Sequence, residues 1–153
     1  MPRLTVVFAL AVLCTACAPD AEPDAEQVNA APTSGEAEIV AEVAIVEPAQ
    51  GAMVEGATVR VRLEASGVRI VQAGDTTSGT GHHHIFLDDD LSPAGQPVPS
   101  VPGRIIHMGD GSAEYVFEDV EAGEHRLIAV VADGVHVPLQ PWVVDTVSFT
   151  VRR

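Results

Sequence analysis

The chain is expected to fold as an all-β sandwich of seven to eight short strands. Three observations lead there. Val, Ile and Thr are frequent, and Gly or Pro interrupts every apolar run after residue 39. Several of these runs alternate apolar and polar residues with period two, as half-buried strands do. No segment of that region keeps a helical period, which leaves sheet packed on sheet as the way to bury the apolar faces.

The strands follow in order. Ile39 to Val46 is the first, ended by Pro48 and Gly51. Thr58 to Glu64 alternates, with Val59, Val61 and Leu63 inward and Arg60 and Arg62 outward. Val68 to Val71 is a short third and His83 to Leu87 a fourth, preceded by His82. Arg104 to His107 is a brief fifth, and Ala113 to Phe117 puts Ala113, Tyr115 and Phe117 on one face. His125 to Ala132 and Val143 to Val151 complete the set. Between Asp90 and Gly103, Pro93, Pro97, Pro99 and Pro102 exclude regular pairing, so this is a long surface loop of the kind that often carries function. Trp142, the only tryptophan, is expected in the core.

The N-terminus has the layout of an export signal over residues 1–16. Met1-Pro2-Arg3 carries one positive charge, and Leu4 to Leu13 is an apolar run too short to span a bilayer. Leu13-Cys14-Thr15-Ala16-Cys17 resembles a bacterial lipobox, with Cys14 where an aliphatic residue is usual. Cleavage before Cys17 would make it the lipidation site, and acyl chains gain about 0.8 kcal/mol per buried methylene. Residues 17–38 are then a lipidated, acidic tether, too poor in large apolar residues to order itself. Residues 39–153 form the sandwich domain. The protein is expected in the cell envelope, and Ala18 after the cysteine points to the outer membrane of a Gram-negative cell. The bland alternative is plain secretion with cleavage near Ala16.

Cys14 would be discarded with the leader and Cys17 would carry lipid, so the folded domain has neither a thiolate metal site nor a cysteine nucleophile. The chain has no lysine, and its net charge is −14. That excludes the clustered cations a nucleic acid needs, and it argues against an anionic membrane surface as partner. The lipid is the expected membrane contact.

Chemistry concentrates in the six histidines. His82, His84, Phe86 and Asp88 fall on one face of their strand, and His83, Ile85 and Leu87 on the other. His82 and His84 are roughly 7 Å apart at their Cα atoms, a workable two-ligand clamp for zinc or copper. A third ligand has to come from His107 or His136. His125 and His136 flank the same strand and lie roughly 25 Å apart, so they cannot share one ion. Secondary candidates are His83, His125, Met108 and Asp88. A thioether beside His107 would suit copper, although core packing is the plainer role for Met108. The competing reading is structural, because Gly81, Gly109, Gly123 and Gly134 mark turns whose backbone groups histidines can staple. A pH-sensitive or ligand-contacting surface is a third. Asp88-Asp89-Asp90 lacks calcium-loop spacing and reads as an acidic turn. The loop serines Ser78, Ser92, Ser100 and Ser112 show no nucleophile motif, so no catalytic residue is assigned and no enzyme is expected.

Two segments, Val46 to Gly51 with Thr58 to Ala65, and Phe117 to Val130, resemble bacterial immunoglobulin-like domains, which implies an immunoglobulin-like sandwich. Four motifs in order resemble the bacterial family DUF4399 over about residues 73–151. They are Gly79 to His84, Ile106 to Gly111, Gly123 to Leu127, and Asp133 to Pro138. The resemblance implies an envelope location and no known activity. The expected function is a non-enzymatic envelope binding module holding copper or zinc through His82 and His84 with His107 or His136. The alternative is a structural or adhesive domain for a protein or glycan, its histidines only stabilising loops.

Overall fold

A computed structural model describes residues 40–153. The export signal, Cys17, the tether and the first residue of the expected first strand lie outside the described residues. Nine strands form: β1 (Glu42–Glu47), β2 (Met53–Glu55), β3 (Val59–Ser66), β4 (Arg69–Ile70), β5 (Thr80–Leu87), β6 (Ile105–Met108), β7 (Glu114–Phe117), β8 (Gly123–Ala132) and β9 (Val144–Arg152). The all-β expectation holds. The ninth strand is β2, whose three residues are too few to show alternation and which pairs parallel with β9.

β1, β3 and β7 make a three-stranded antiparallel sheet. The larger sheet runs β2-β9-β8-β5-β4, and β6 also pairs with β5. Val59, Val61 and Leu63 on β3 point inward as their alternation predicts, and pack with Val43, Ile45 and Phe117 against Ile85, Leu87, Leu127, Ala129, Val147 and Phe149 of the larger sheet. The two sheets thus enclose one core.

A second, smaller core lies on the outer face of the larger sheet. There Phe86, Ile105, Ile128 and Val130 are covered by Val98, with Leu91 and Val101 beside it. The proline-rich loop is therefore packed down on the sheet. This roof explains why every residue of β5 is buried. β5 pairs with β8 along one edge, while β4 (at Thr80 and Gly81) and β6 (from His83 to Phe86) share the other.

Two expectations need correction. Trp142 is 37% exposed, because Val143 beside it turns into the core instead. Asp88 does not continue the face of His82, His84 and Phe86: β5 stops at Leu87, and Asp88 has a positive φ of 52° that swings its side chain away.

If the loop roof is an integral part of the fold, Phe86→Ala should destabilise the protein by about 3–5 kcal/mol in urea unfolding, as for other buried aromatic truncations. A cost under about 1 kcal/mol would mean that the outer core adds nothing.

Candidate metal centre

The larger sheet gathers four imidazoles at one end. His82 and His84 project from β5 on the face opposite the main core. β6 pairs antiparallel with β5 so that His107 lies directly across from His84, and cross-strand partners share a face. Their rings stack 5.0 Å apart at 21°. β8 runs along the other side of β5, with its last residue, Ala132, opposite His82. The chain then turns through Asp133 to His136 and brings the fourth ring over the same spot.

That turn is held by one carboxylate. Asp133 Oδ1 accepts the N–H groups of Val135 and Val137, each at 2.9 Å, and the His136 N–H donates to the Asp133 carbonyl at 2.9 Å. His136 itself has φ 70°, a strained value for a residue with a side chain. Its carbonyl accepts the Val98 N–H, which ties the proline-rich loop to the turn.

A short strap joins the two outer histidine loops. The Ala73 N–H donates to the Gly109 carbonyl at 2.9 Å, and the Gly74 N–H to the Gly134 carbonyl at 3.1 Å. Both acceptors are glycines for a steric reason. A Cβ on Gly109 would overlap the His107 ring, and one on Gly134 would overlap the Asp75 carbonyl. Each lies two residues from a histidine of the cluster, so these glycines set where the rings go.

All six pairs among the four rings have centroids 4.5–5.6 Å apart. His82 Nε2 is 3.0 Å from His84 Nε2, and His107 Nε2 is 3.1 Å from His136 Nε2. One ligand nitrogen each from His82, His107 and His136 falls within a 4.8 Å group. His84 touches this group through His82 and is not a member of it. Adjacent nitrogens around zinc, at about 2.0–2.1 Å from the ion, stand about 3.3 Å apart in a tetrahedron. Within the group, the His107–His136 contact of 3.1 Å approaches that spacing, and the three ligand atoms lie within 4.8 Å of one another.

The electrostatics favour the form that binds metal. Burial is the largest cause depressing the pKa of His82, to about 4, helped by the neighbouring His107 and His136. Burial depresses His84 further, to about 3, with His82 next in effect. His107 is lowered by the same two influences, burial and then His136. Neutral imidazole is the ligand form, so these rings need not lose a proton at neutral pH. The Nδ1 atoms of His82 and His84 are buried without a hydrogen-bond partner.

The other candidates do not converge here. His83 faces the opposite side of β5, and its Nδ1–H donates to the Ser112 carbonyl at 3.0 Å. Met108, next to His107 on β6, points the other way and is buried in the main core. His125 and Asp88 pair with each other at the far end of the sheet, where Leu87 and Leu127 face one another. His125 Nδ1 lies 2.6 Å from Asp88 Oδ2, and its Nε2 2.9 Å from the Glu121 carbonyl. Both partners accept, so both ring nitrogens carry protons. Burial opposes that charge, and the bonds to Asp88 and Glu121 outweigh it and raise the pKa. The acidic turn is occupied too, with Asp89 near Arg104 and Asp90 on Arg126.

A hollow of about 670 Å³ beside Asp88, His125 and Phe149 is at this far end. It is no rival to the cluster as a ligand set, because its one histidine has both nitrogens engaged. A smaller cavity of about 270 Å³ opens on the cluster, lined by Pro97 to Ser100 with His84, His107 and His136. Sequence reasoning passed over the strap at Ala73 and Gly74, the Asp133 clamp and the placement of Pro97 to Ser100. Asp133-Gly134, a turn signal beside a histidine, marked the clamp, and the proline-rich loop from Asp90 to Gly103 was expected to carry function without its place over the histidines being readable.

A family model described as "Domain of unknown function (DUF4399)" matches residues 61–152. No curated protein and no solved structure matches the chain.

Between pH 6.5 and about 4 the unfolded chain binds protons that folded His82 and His84 refuse. Metal-free protein should therefore lose stability as pH falls through that interval. His125, with its raised pKa, works the other way, giving stability that is lost as pH rises through its folded value. His84→Leu should flatten the acid-side decline in a series of denaturant unfolding curves. An unchanged slope would contradict the proposed neutrality of the cluster.

Proposed function

The chain belongs to the DUF4399 family, and because that description names no activity, we propose from the site that it is a non-enzymatic metal-binding module of the cell envelope. Its ligands are His82, His107 and His136, with His84 beside them, and its metal is copper or zinc. The single observation that supports this is the group of three ring nitrogens within 4.8 Å, drawn from three separate chain segments. An all-imidazole set suits copper and zinc and is foreign to calcium or magnesium, which take oxygen. The lipobox-like Leu13 to Cys17 and the acidic run behind it support a lipid-anchored module held off the membrane on a tether, exported and facing the envelope space.

A second reading has specific support from the two remaining histidines. His83 bonds the Ser112 carbonyl and His125 the Glu121 carbonyl, as loop staples do. On that reading the domain is a scaffold for an envelope protein or glycan, and the four-ring cluster is more of the same. The metal reading is preferred because the cluster's imidazoles meet each other, not loop carbonyls.

The full chain, made without a histidine tag, should take up one equivalent of copper or zinc with a dissociation constant below micromolar, about 8 kcal/mol or more of binding free energy. His82→Ala/His107→Ala should abolish it. Uptake no better than that of the double variant, with only a lowered melting temperature, would establish the stapling reading instead.

A further inference from the structure

The proposed centre leaves a metal ion short of both ligands and charge. Three ring nitrogens converge, and a site with three protein ligands keeps a fourth position for a further ligand. All the convergent donors are imidazoles. The nearest turn carboxylate, Asp133, spends Oδ1 on the N–H groups of Val135 and Val137. The three rings are neutral donors, so none of the ligand atoms themselves offsets the charge of a divalent ion.

Two of the three ligands, His107 and His136, open on the cavity of about 270 Å³ under Pro97 to Ser100. His84, His107 and His136 reach into its wall, and the rest is apolar save for Ser100. No arginine lines it. An anion entering it would find no cation except the metal, and the proline-rich roof would limit its size. His84 lines the cavity and lies against His82 without belonging to the convergent three.

We propose that the centre is an anion-binding one: a small inorganic anion occupies the open metal position in the cavity beneath residues 97–100. The inference rests on the metal reading above and adds a ligand class to it. The anion is held by the metal, and the Pro97 to Ser100 segment sets the largest size admitted.

The test uses the full chain loaded with one equivalent of Cu(II), titrated with azide and followed by absorption and electron paramagnetic resonance. Azide should give a saturable charge-transfer band. Ser100→Phe, at an exposed position outside the ligand set, should leave copper uptake unchanged and weaken azide binding about tenfold or more, a change of about 1.4 kcal/mol. Benzoate, a larger anion, should fail to compete with azide on the unsubstituted protein, a result that does not depend on how the variant folds. A silent spectrum on the copper-loaded protein overturns this inference alone. So does equal azide affinity in Ser100→Phe, or effective competition by benzoate. Failure to take up copper overturns this inference, and failure to take up zinc as well overturns the metal reading with it.

Discussion

Everything at the site depends on β5 being covered on both faces while carrying three consecutive imidazoles. A buried polar ring costs free energy unless something bonds it. Alternation sends His83 one way and His82 and His84 the other, so one strand poses that problem on two sides of a sheet. On the inner side His83 bonds the Ser112 carbonyl through Nδ1, and its Nε2 is buried without a partner. On the outer side the rings bond one another, and the Nδ1 atoms of His82 and His84 stay unpartnered. A fold optimised for stability alone would place apolar residues there, as it does at Phe86 two positions on. Buried, mutually facing imidazoles with spare nitrogens are easier to understand as a retained ligand set than as a cheap way to fill space.

The surrounding loops make sense in the same terms. β5 pairs with β6 from His83 to Phe86 and with β8 from His82 to Leu87, so His82, His84 and His107 are placed by sheet register. His136 has no such support. Its turn is fixed by the Asp133 carboxylate, the strap from Ala73 and Gly74, and the bond from Val98 to its own carbonyl. Three independent ties across the turn that carries one strained residue are more than a surface turn requires. They hold the ring that contributes from outside the sheet within reach of the rings that are part of it.

Much of this was legible in the chain, and what was missed has a physical pattern. Period-two alternation located β3, β7 and β9, because one face of each is solvated or only half covered. β5 shows no alternation, since both of its faces are buried, and its beginning at Thr80 was read three residues late. The parallel pairing of Thr80 and Gly81 with β4 is a long-range fact with no local signature. The shared face of His82 and His84 follows from strand geometry, as does the separation of His125 from His136. That His107 and His136 both join them required the strand order. Asp88 was assigned to the wrong face because a single residue with positive φ ended the strand, and sequence does not announce which aspartate will do that.

The two ends of the larger sheet show one residue type in opposite protonation states. At the far end His125 sits between a carboxylate and a carbonyl, both acceptors, and is held charged. At the near end His82 and His84 sit among other imidazoles and are held neutral. The difference lies in the partners, since burial lowers the pKa in both places. A staple needs an acceptor fixed beside a ring N–H, because its task is to stay bonded. A ligand needs a nitrogen lone pair facing open or shared space. His125 has protein acceptors at both nitrogens and His83 at one, while His82, His84, His107 and His136 are turned toward one another. The division follows the register of β5 against β6 and β8, so the same pairing that closes the sandwich also sorts its histidines by chemistry.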